Sequence, residues 1–229
     1  MEPKYIRREL SAVIEEAYRY FSVITVTGPR QSGKTTLIRN LFPHLPYYSL
    51  ENLDVRSFAE NDPVAFLNQH AEGMILDEVH NAPNLLSYIQ GMVDDDADRR
   101  FILSGSSQFA MLKRITQSLA GRTAVFELLP LSYSEIREIA SDTPLDHLLL
   151  DGFYPAIYSG RNVPKFLYPA YMKTYLDKDV RDLLQIKDMM QFHTFIRLCA
   201  GRIGSLFKAS ELANEIGISS HTITAWLSV

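Results

Sequence analysis

Apolar residues at Ile6, Leu10, Val13, Ile14 and Ala17 recur at helical spacing, so the chain opens with an amphipathic helix. "FSVITVTG" follows, a β-branched run that reads as a buried strand, and a glycine-rich turn leads into the helical stretch "KTTLIRNLF", stopped near Pro43. "LPYYSL" reads as a second strand. "DPVAFLNQH" reads as a helix capped by Asp62 with Pro63 in its first turn. "GMILDEVH" is a third strand, apolar until it ends in acids, and Asn81 caps the helix expected over "NAPNLLSYIQGMV". "RRFILSGSS" is a fourth strand, "QFAMLKRITQSLAG" a helix and "TAVFELLPLS" a fifth strand. Short strands apolar along their whole length, alternating with helices, predict an α/β fold with a parallel sheet covered on both faces.

After Pro130 the pattern changes. Ser132 and Glu135 have capping-box spacing, and the stretches "FLYPAYMKTYLDKDVRDLLQI" and "MQFHTFIRLCAGRI" carry helical periodicity. "KASELANEIGISSHTITAWLSV" reads as a helix-turn-helix. Ser210 caps a helix that buries Leu212, Ala213 and Ile216, Gly217 permits the turn, and Ser219 caps a second helix with Ile223, Trp226 and Leu227 facing inward. The expected organisation is residues 1–135 as the α/β domain with its N-terminal helix, 136–205 as a helical lid or linker, and 206–229 as the partial helix-turn-helix. The first boundary falls somewhere within 130–150.

Composition narrows the class. Of 229 residues, 46% are hydrophobic and 22% charged, enough for a real core. The net charge of -4 argues against a uniformly basic nucleic-acid coat. One cysteine, Cys199, excludes an internal disulfide framework and fits a reducing compartment. No apolar run approaches the roughly 18 residues of a membrane span, and the N-terminus does not read as a signal peptide, so a cytoplasmic protein without a membrane partner is expected.

The chemistry concentrates in Gly28-Pro29-Arg30-Gln31-Ser32-Gly33-Lys34-Thr35, which satisfies the phosphate-loop pattern G-x-x-x-x-G-K-[ST]. The glycines let the backbone turn its N–H groups toward one anion, and the helix beginning there adds its positive end. Lys34 can reach the β- and γ-phosphates, the Thr35 hydroxyl can ligate Mg²⁺, and Thr36 can contact the α-phosphate. A carboxylate at the end of a neighbouring strand is also required, and "MILDEVH" supplies Asp77 for the metal and Glu78 to polarise water. The strand lies beyond an intervening strand–helix pair and carries a second acid, which points to the ATPase branch rather than to kinases or GTPases. Arg30 stands among the nucleotide-binding positions of the loop, where it could contact phosphate or fold away, and the motif does not decide between the two.

The ordered run "TGPRQSGKTT", "ILDEVH", "ILSGSS", "SLAGR", "LLPLSYSEI" and "GFYPAIY" resembles prokaryotic AAA-type ATPases that carry a C-terminal domain of unknown function. The resemblance covers nearly the whole chain. It implies an AAA-like P-loop ATPase with a three-layer sheet, then a helical region, then a winged-helix-like segment. It also implies a γ-phosphate sensor at Ser104, with Ser106 the second choice, and a catalytic role for Arg122 on a neighbouring subunit's nucleotide, hence self-association. Relatives of this kind continue past the position of Val229, so a longer protein is implied.

The expected activity is Mg²⁺-dependent binding and hydrolysis of ATP by a nucleotide-dependent switch. The alternative is an ATP-gated regulatory module whose helix-turn-helix binds duplex DNA. Its cations Arg197, Arg202 and Lys208 are nearly balanced by Glu211 and Glu215, a weak phosphate footprint, so a protein client is as well supported.

Overall fold

The computed structural model describes residues 5–105, 118–176 and 189–227. The expected helix over "QFAMLKRITQSLAG" and the candidate Ser106 lie largely or wholly outside them. The described chain divides into two compact units, residues 1–163 and 164–229.

The first unit is built on a five-stranded parallel sheet with the order β2-β3-β4-β1-β5. The strands are β1 (Val23–Thr27), β2 (Tyr47–Ser49), β3 (Gly73–Asp77), β4 (Arg100–Ser104) and β5 (Thr123–Glu127). All of β1 and β3 is buried, as continuous apolar runs in a doubly covered sheet should be, while the edge strand β5 is partly exposed. Successive side chains point to opposite faces and feed two separate cores. On one face Ile24, Val26, Ile75 and Ile102 pack with Ile14, Leu37, Ile38 and Phe42. These last four come from α1 (Leu10–Ala17), α2 (Lys34–Leu41) and the residue that ends α2. On the other face Met74, Leu76, Phe101 and Leu103 pack with Phe66, Leu67, Leu85 and Ile89. Those belong to α4 (Pro63–Leu67) and α5 (Leu85–Asp95).

Three element assignments differ from the sequence reading. The first helix starts at Leu10, and Val13 is half exposed at 51%, so the buried stripe is narrower than its spacing implied. Helix α5 starts at Leu85, because Asn81 is drawn into a 3₁₀ turn (Val79–Asn81), where its Nδ2 donates to the Glu78 carbonyl. Helix α3 (Leu53–Asn61) was not foreseen; Ala59 alone of its residues is fully buried, and the Asn52 carboxamide oxygen caps it by accepting from the Asp54 and Val55 N–H groups. Asp62 does cap α4, with Pro63 in its first turn.

Beyond β5 come α6 (Tyr133–Arg137), α7 (Leu145–Asp151) and the single turn α8 (Pro155–Tyr158). Ser132 and Glu135 form the expected capping box on α6. Ile6, Leu131, Ile136 and Leu148 make a small separate core that ties the N-terminal segment to these helices.

The second unit holds α9 (Pro164–Tyr171), continued by a π turn over Met172–Leu176, then α10 (Met189–Ala200), α11 (Ala209–Ile216) and α12 (Ser220–Leu227). Its core is Phe192, Phe195, Leu212, Ala213, Ile223 and Trp226, with the Trp226 ring edge-on to Phe192 at 5.3 Å. Gly217 turns the chain between α11 and α12 with φ 80°, and the Ser219 hydroxyl accepts from the Thr222 N–H. Ser210 lies inside the first turn of α11, where Lys208 occupies the capping position, and Leu227 is 56% exposed rather than inward.

Candidate functional site

Parallel strands carry their functional loops at their C-terminal ends, and here β1, β3 and β4 deliver the phosphate loop, the paired acids and Ser104 to one edge of the sheet. The loop leaves β1 at Gly28, whose φ is 139°. A β-carbon there would fall 2.2 Å from the Leu128 carbonyl oxygen, so only glycine lets the loop pass the chain leaving β5. The Pro29 carbonyl accepts from the Ser32 N–H, and Gln31 takes the left-handed conformation with φ 62°. Gly33 precedes α2 with φ 97° and fixes where the helix begins. Gln31 and Glu78 are the non-glycine residues with positive φ among those described, so backbone strain coincides with the site. The Ser32 hydroxyl is buried and has no hydrogen-bond partner, an orphaned polar group of the kind that a bound anion or its water would satisfy.

Lys34 is buried at the start of α2 and its ammonium donates to the Gly28 and Pro29 carbonyls, both at 3.0 Å. Burial pulls its pKa below the ordinary lysine value, Glu78 and then Asp77 pull it back up, and Arg30 pushes it down. The Thr35 hydroxyl donates to Asp77 Oδ2 at 2.7 Å, which brings the two candidate metal ligands together across 42 residues of sequence. Ser104 is fully buried and its hydroxyl donates to Asp77 Oδ1, so it holds that carboxylate. Glu78, with φ 55°, starts the 3₁₀ turn, and His80 Nδ1 lies 3.1 Å from its Oε2. Thr36 faces a cavity of about 320 Å³ beside the loop, lined also by Tyr5, Ile6, Asn40 and Arg161.

Two contributors were missed by the sequence reading. The Tyr47 hydroxyl at the start of β2 donates to Asp77 Oδ2 at 2.7 Å. Arg8, in the segment before α1, is buried and braces the loop: its guanidinium donates to the Ser32 carbonyl (2.9 Å), to the Leu129 carbonyl (2.8 Å) and to Glu135 Oε1 (2.9 Å). The unpaired apolar positions before α1 were the available signal, because an arginine flanked by Ile6 and Leu10 starts out close to the core.

Arg122 is not brought to this edge. It precedes β5, whose first residue pairs with Val23 at the start of β1, so it lies at the opposite edge of the sheet, roughly 15 Å of strand away. There it forms a two-pronged pair with Asp94, Nη2 lying 2.8 Å from Oδ2.

This sheet order, with a glycine loop between the inner strand β1 and helix α2 and the acid-tipped strand β3 two places away, defines a P-loop nucleoside-triphosphatase fold. Residues 20–137 match the family described as AAA domain, so the chain belongs to that family; residues 142–229 match a domain of unknown function, DUF8612. Uncharacterized proteins of Mycobacterium tuberculosis and Mycobacterium bovis are each 30% identical over 96% of this chain, which spans half the length of those curated relatives. A Walker-type ATPase of Pyrococcus abyssi superposes with a TM-score of 0.52 at 14% identity, covering 80% of this chain and 77% of that one, a likeness of fold. No helix among the described residues is long and apolar enough to cross a membrane.

Proposed function

We propose that this protein binds Mg²⁺–ATP at the loop Gly28–Thr36, hydrolyses it, and acts as a nucleotide-dependent switch. The observation that carries the reading is the meeting of Thr35 with Asp77 at 2.7 Å beside buried Lys34. A hydroxyl and a carboxylate converging beside an N–H cradle are a donor set suited to Mg²⁺ on a phosphate chain. When bound there, the cation neutralises phosphate charge; Thr35 would hold it directly and Asp77 through water.

Lys34 exchanges its two carbonyl partners for phosphate oxygens. The cavity beside Thr36 and Asn40 has room for the base and ribose, with the Tyr5 ring as a stacking surface. Glu78 takes the proton of the attacking water as oxygen bonds to the γ-phosphorus and the bond to the ADP oxygen breaks. Ser104 and Tyr47 keep the Asp77 carboxylate oriented. Arg8 links the Ser32 carbonyl of the loop to the Leu129 and Pro130 carbonyls before α6, a path along which a change of charge at the γ-position would reach that segment, and this supports the switch reading. The alternative of duplex DNA binding gains little from α11 and α12, because Arg202 pairs with Glu215 and Lys208 pairs with Glu211.

The test is ATP binding and hydrolysis by wild type, Lys34→Ala and Glu78→Gln. Lys34→Ala loses roughly 10- to 100-fold in affinity, as removal of a charge-assisted contact should. Glu78→Gln keeps binding and loses about 100-fold or more in turnover. Equal rates in all three proteins would overturn the assignment.

A further inference from the structure

The cavity beside the phosphate loop has an uneven lining. Part of it is apolar: Leu37 of α2 and Ile6 are buried there, and Pro155 at the start of α8 lies beside Gly33. Several of its polar groups are committed elsewhere. The Arg8 guanidinium is used on the Ser32, Leu129 and Pro130 carbonyls and on Glu135, and the Ser159 hydroxyl donates to the Ala156 carbonyl. Asn40 is committed at one end of its carboxamide only.

Asn40 Nδ2 donates to the Thr36 carbonyl at 2.7 Å, one turn back along α2. A carbonyl oxygen only accepts, so the atom set against it is the amide nitrogen. The carboxamide cannot turn over without bringing two acceptors together. Oδ1 is therefore the polar atom that Asn40 has left for a ligand in the cavity, and among the described residues no donor is bonded to it. Asn40 also lies about 6 Å further along the helix axis than Thr36. With the phosphates held at the loop and the α-phosphate at Thr36, the rest of a nucleotide runs along this part of α2.

We propose that Asn40 is a specificity-determining residue that selects a 6-aminopurine: its Oδ1 accepts from the exocyclic amino group of the base. A 6-oxo base presents an acceptor to the same oxygen and is disfavoured. The proposal rests on the nucleotide reading above and adds to it the group that tells ATP from GTP. Apolar walls offer both purines the same surface, so the choice between them falls to polar atoms. Arg161, which also lines the cavity, is the rival reader, because a guanidinium suits a 6-oxo group.

The test is a set of equilibrium affinities, measured by calorimetry on the full chain with Mg²⁺ present. The ligands are ATP, 2′-deoxy-ATP, inosine triphosphate and purine riboside triphosphate, the last carrying hydrogen in place of the amino group. The proteins are wild type, Asn40→Ala, Asn40→Asp and Lys34→Ala. One neutral hydrogen bond corresponds to roughly 3- to 10-fold in affinity, so wild type prefers ATP to the purine riboside nucleotide by that factor. Its preference for ATP over inosine triphosphate is at least as large. In Asn40→Ala the first ratio falls to within about twofold, because the partner of the amino group is gone. The purine riboside nucleotide binds Asn40→Ala about as well as wild type, which shows the site intact. Asn40→Asp keeps an acceptor at the cavity, so it shifts all affinities together and retains the preference for ATP. Ratios unchanged in Asn40→Ala overturn the proposal, and so does an equal loss for every nucleotide, which is a structural effect. A wild type that binds inosine triphosphate as tightly as ATP also overturns it and gives the base to Arg161 or to no side chain. A loss in Asn40→Ala seen with ATP but not with 2′-deoxy-ATP moves the contact to the ribose and overturns it as well. A wild type that binds ATP no better than Lys34→Ala overturns the nucleotide reading itself, an outcome distinct from tight but indiscriminate binding.

Discussion

The Tyr47 hydroxyl donates to the oxygen of Asp77 that also accepts from Thr35, while Ser104 and the Glu78 N–H serve the other oxygen. The carboxylate is thus fixed from both sides before any cation reaches it. Burial and then the Asp77 hydrogen bond hold the Tyr47 phenol protonated far above neutral pH, so it remains a donor throughout the working range. Removing an outer partner of a metal ligand commonly weakens the metal by 10- to 100-fold. Tyr47→Phe is therefore expected to raise the Mg²⁺ concentration needed for half-maximal turnover about tenfold, while ATP affinity measured in a chelator is unchanged. An unaltered Mg²⁺ titration would reduce Tyr47 to packing. At this scale Lys34, Thr35, Asp77 and Glu78 could be proposed from the sequence, because a phosphate site would require those residue types at fixed spacing on a strand–loop–helix, and Thr35 and Asp77 do meet. Tyr47 escaped because its meaning depends on a partner 30 residues away, on the neighbouring strand.

Among elements, the brace between the N-terminal segment and α6 carries the most consequence. Arg8 and Glu135 are nearly fully buried, and Glu135 also accepts from the Glu9 and Ser132 N–H groups. Burial pushes the Glu135 carboxyl up, but the Ser132 N–H, Arg8 and the Glu9 N–H outweigh it and leave the pKa below the ordinary value. A lowered folded-state pKa stabilises the fold above the unfolded value, about 4.3, and that contribution is lost as pH falls through the folded value. Arg8→Ala strands a buried carboxylate and is expected to cost roughly 3–5 kcal/mol at neutral pH by denaturant unfolding. The penalty of Glu135→Gln relative to wild type should shrink as pH falls from the unfolded value, about 4.3, down through the lowered folded-state value. A pH-independent penalty would contradict this account. Elements announced by caps, such as α4 and α6, were legible in the sequence. Helix α3 was not, since a helix that fully buries only Ala59 shows little apolar periodicity.

At the scale of the whole molecule, the candidate site belongs to the first unit. Every residue of the phosphate loop, the acid strand, the brace and the cavity lies within residues 1–163, which have their own cores. A fragment of residues 1–163 is therefore expected to fold cooperatively and bind ATP with an affinity within a few fold of the full chain, measured by calorimetry. Loss of binding in a folded fragment would assign the helices α9–α12 a share in the site. The parallel sheet was readable from alternating apolar runs, because strands buried on both faces cannot look otherwise. A partner for the helical unit was not, because the cations of its helix-turn-helix are balanced by Glu211 and Glu215.

The segment after β5 is recognised through its main chain. Gly28 slides past the Leu128 carbonyl, and Arg8 grips the carbonyls of Leu129 and Pro130, while the Leu129 side chain itself is 58% exposed. Side-chain chemistry at 129 is thus nearly free to drift, whereas its spacing is not. Losing or gaining a single residue there would slide every carbonyl past its donor and leave the floor of the phosphate loop out of step. Evolution can rewrite the letter at 129 but must keep the length of the stretch.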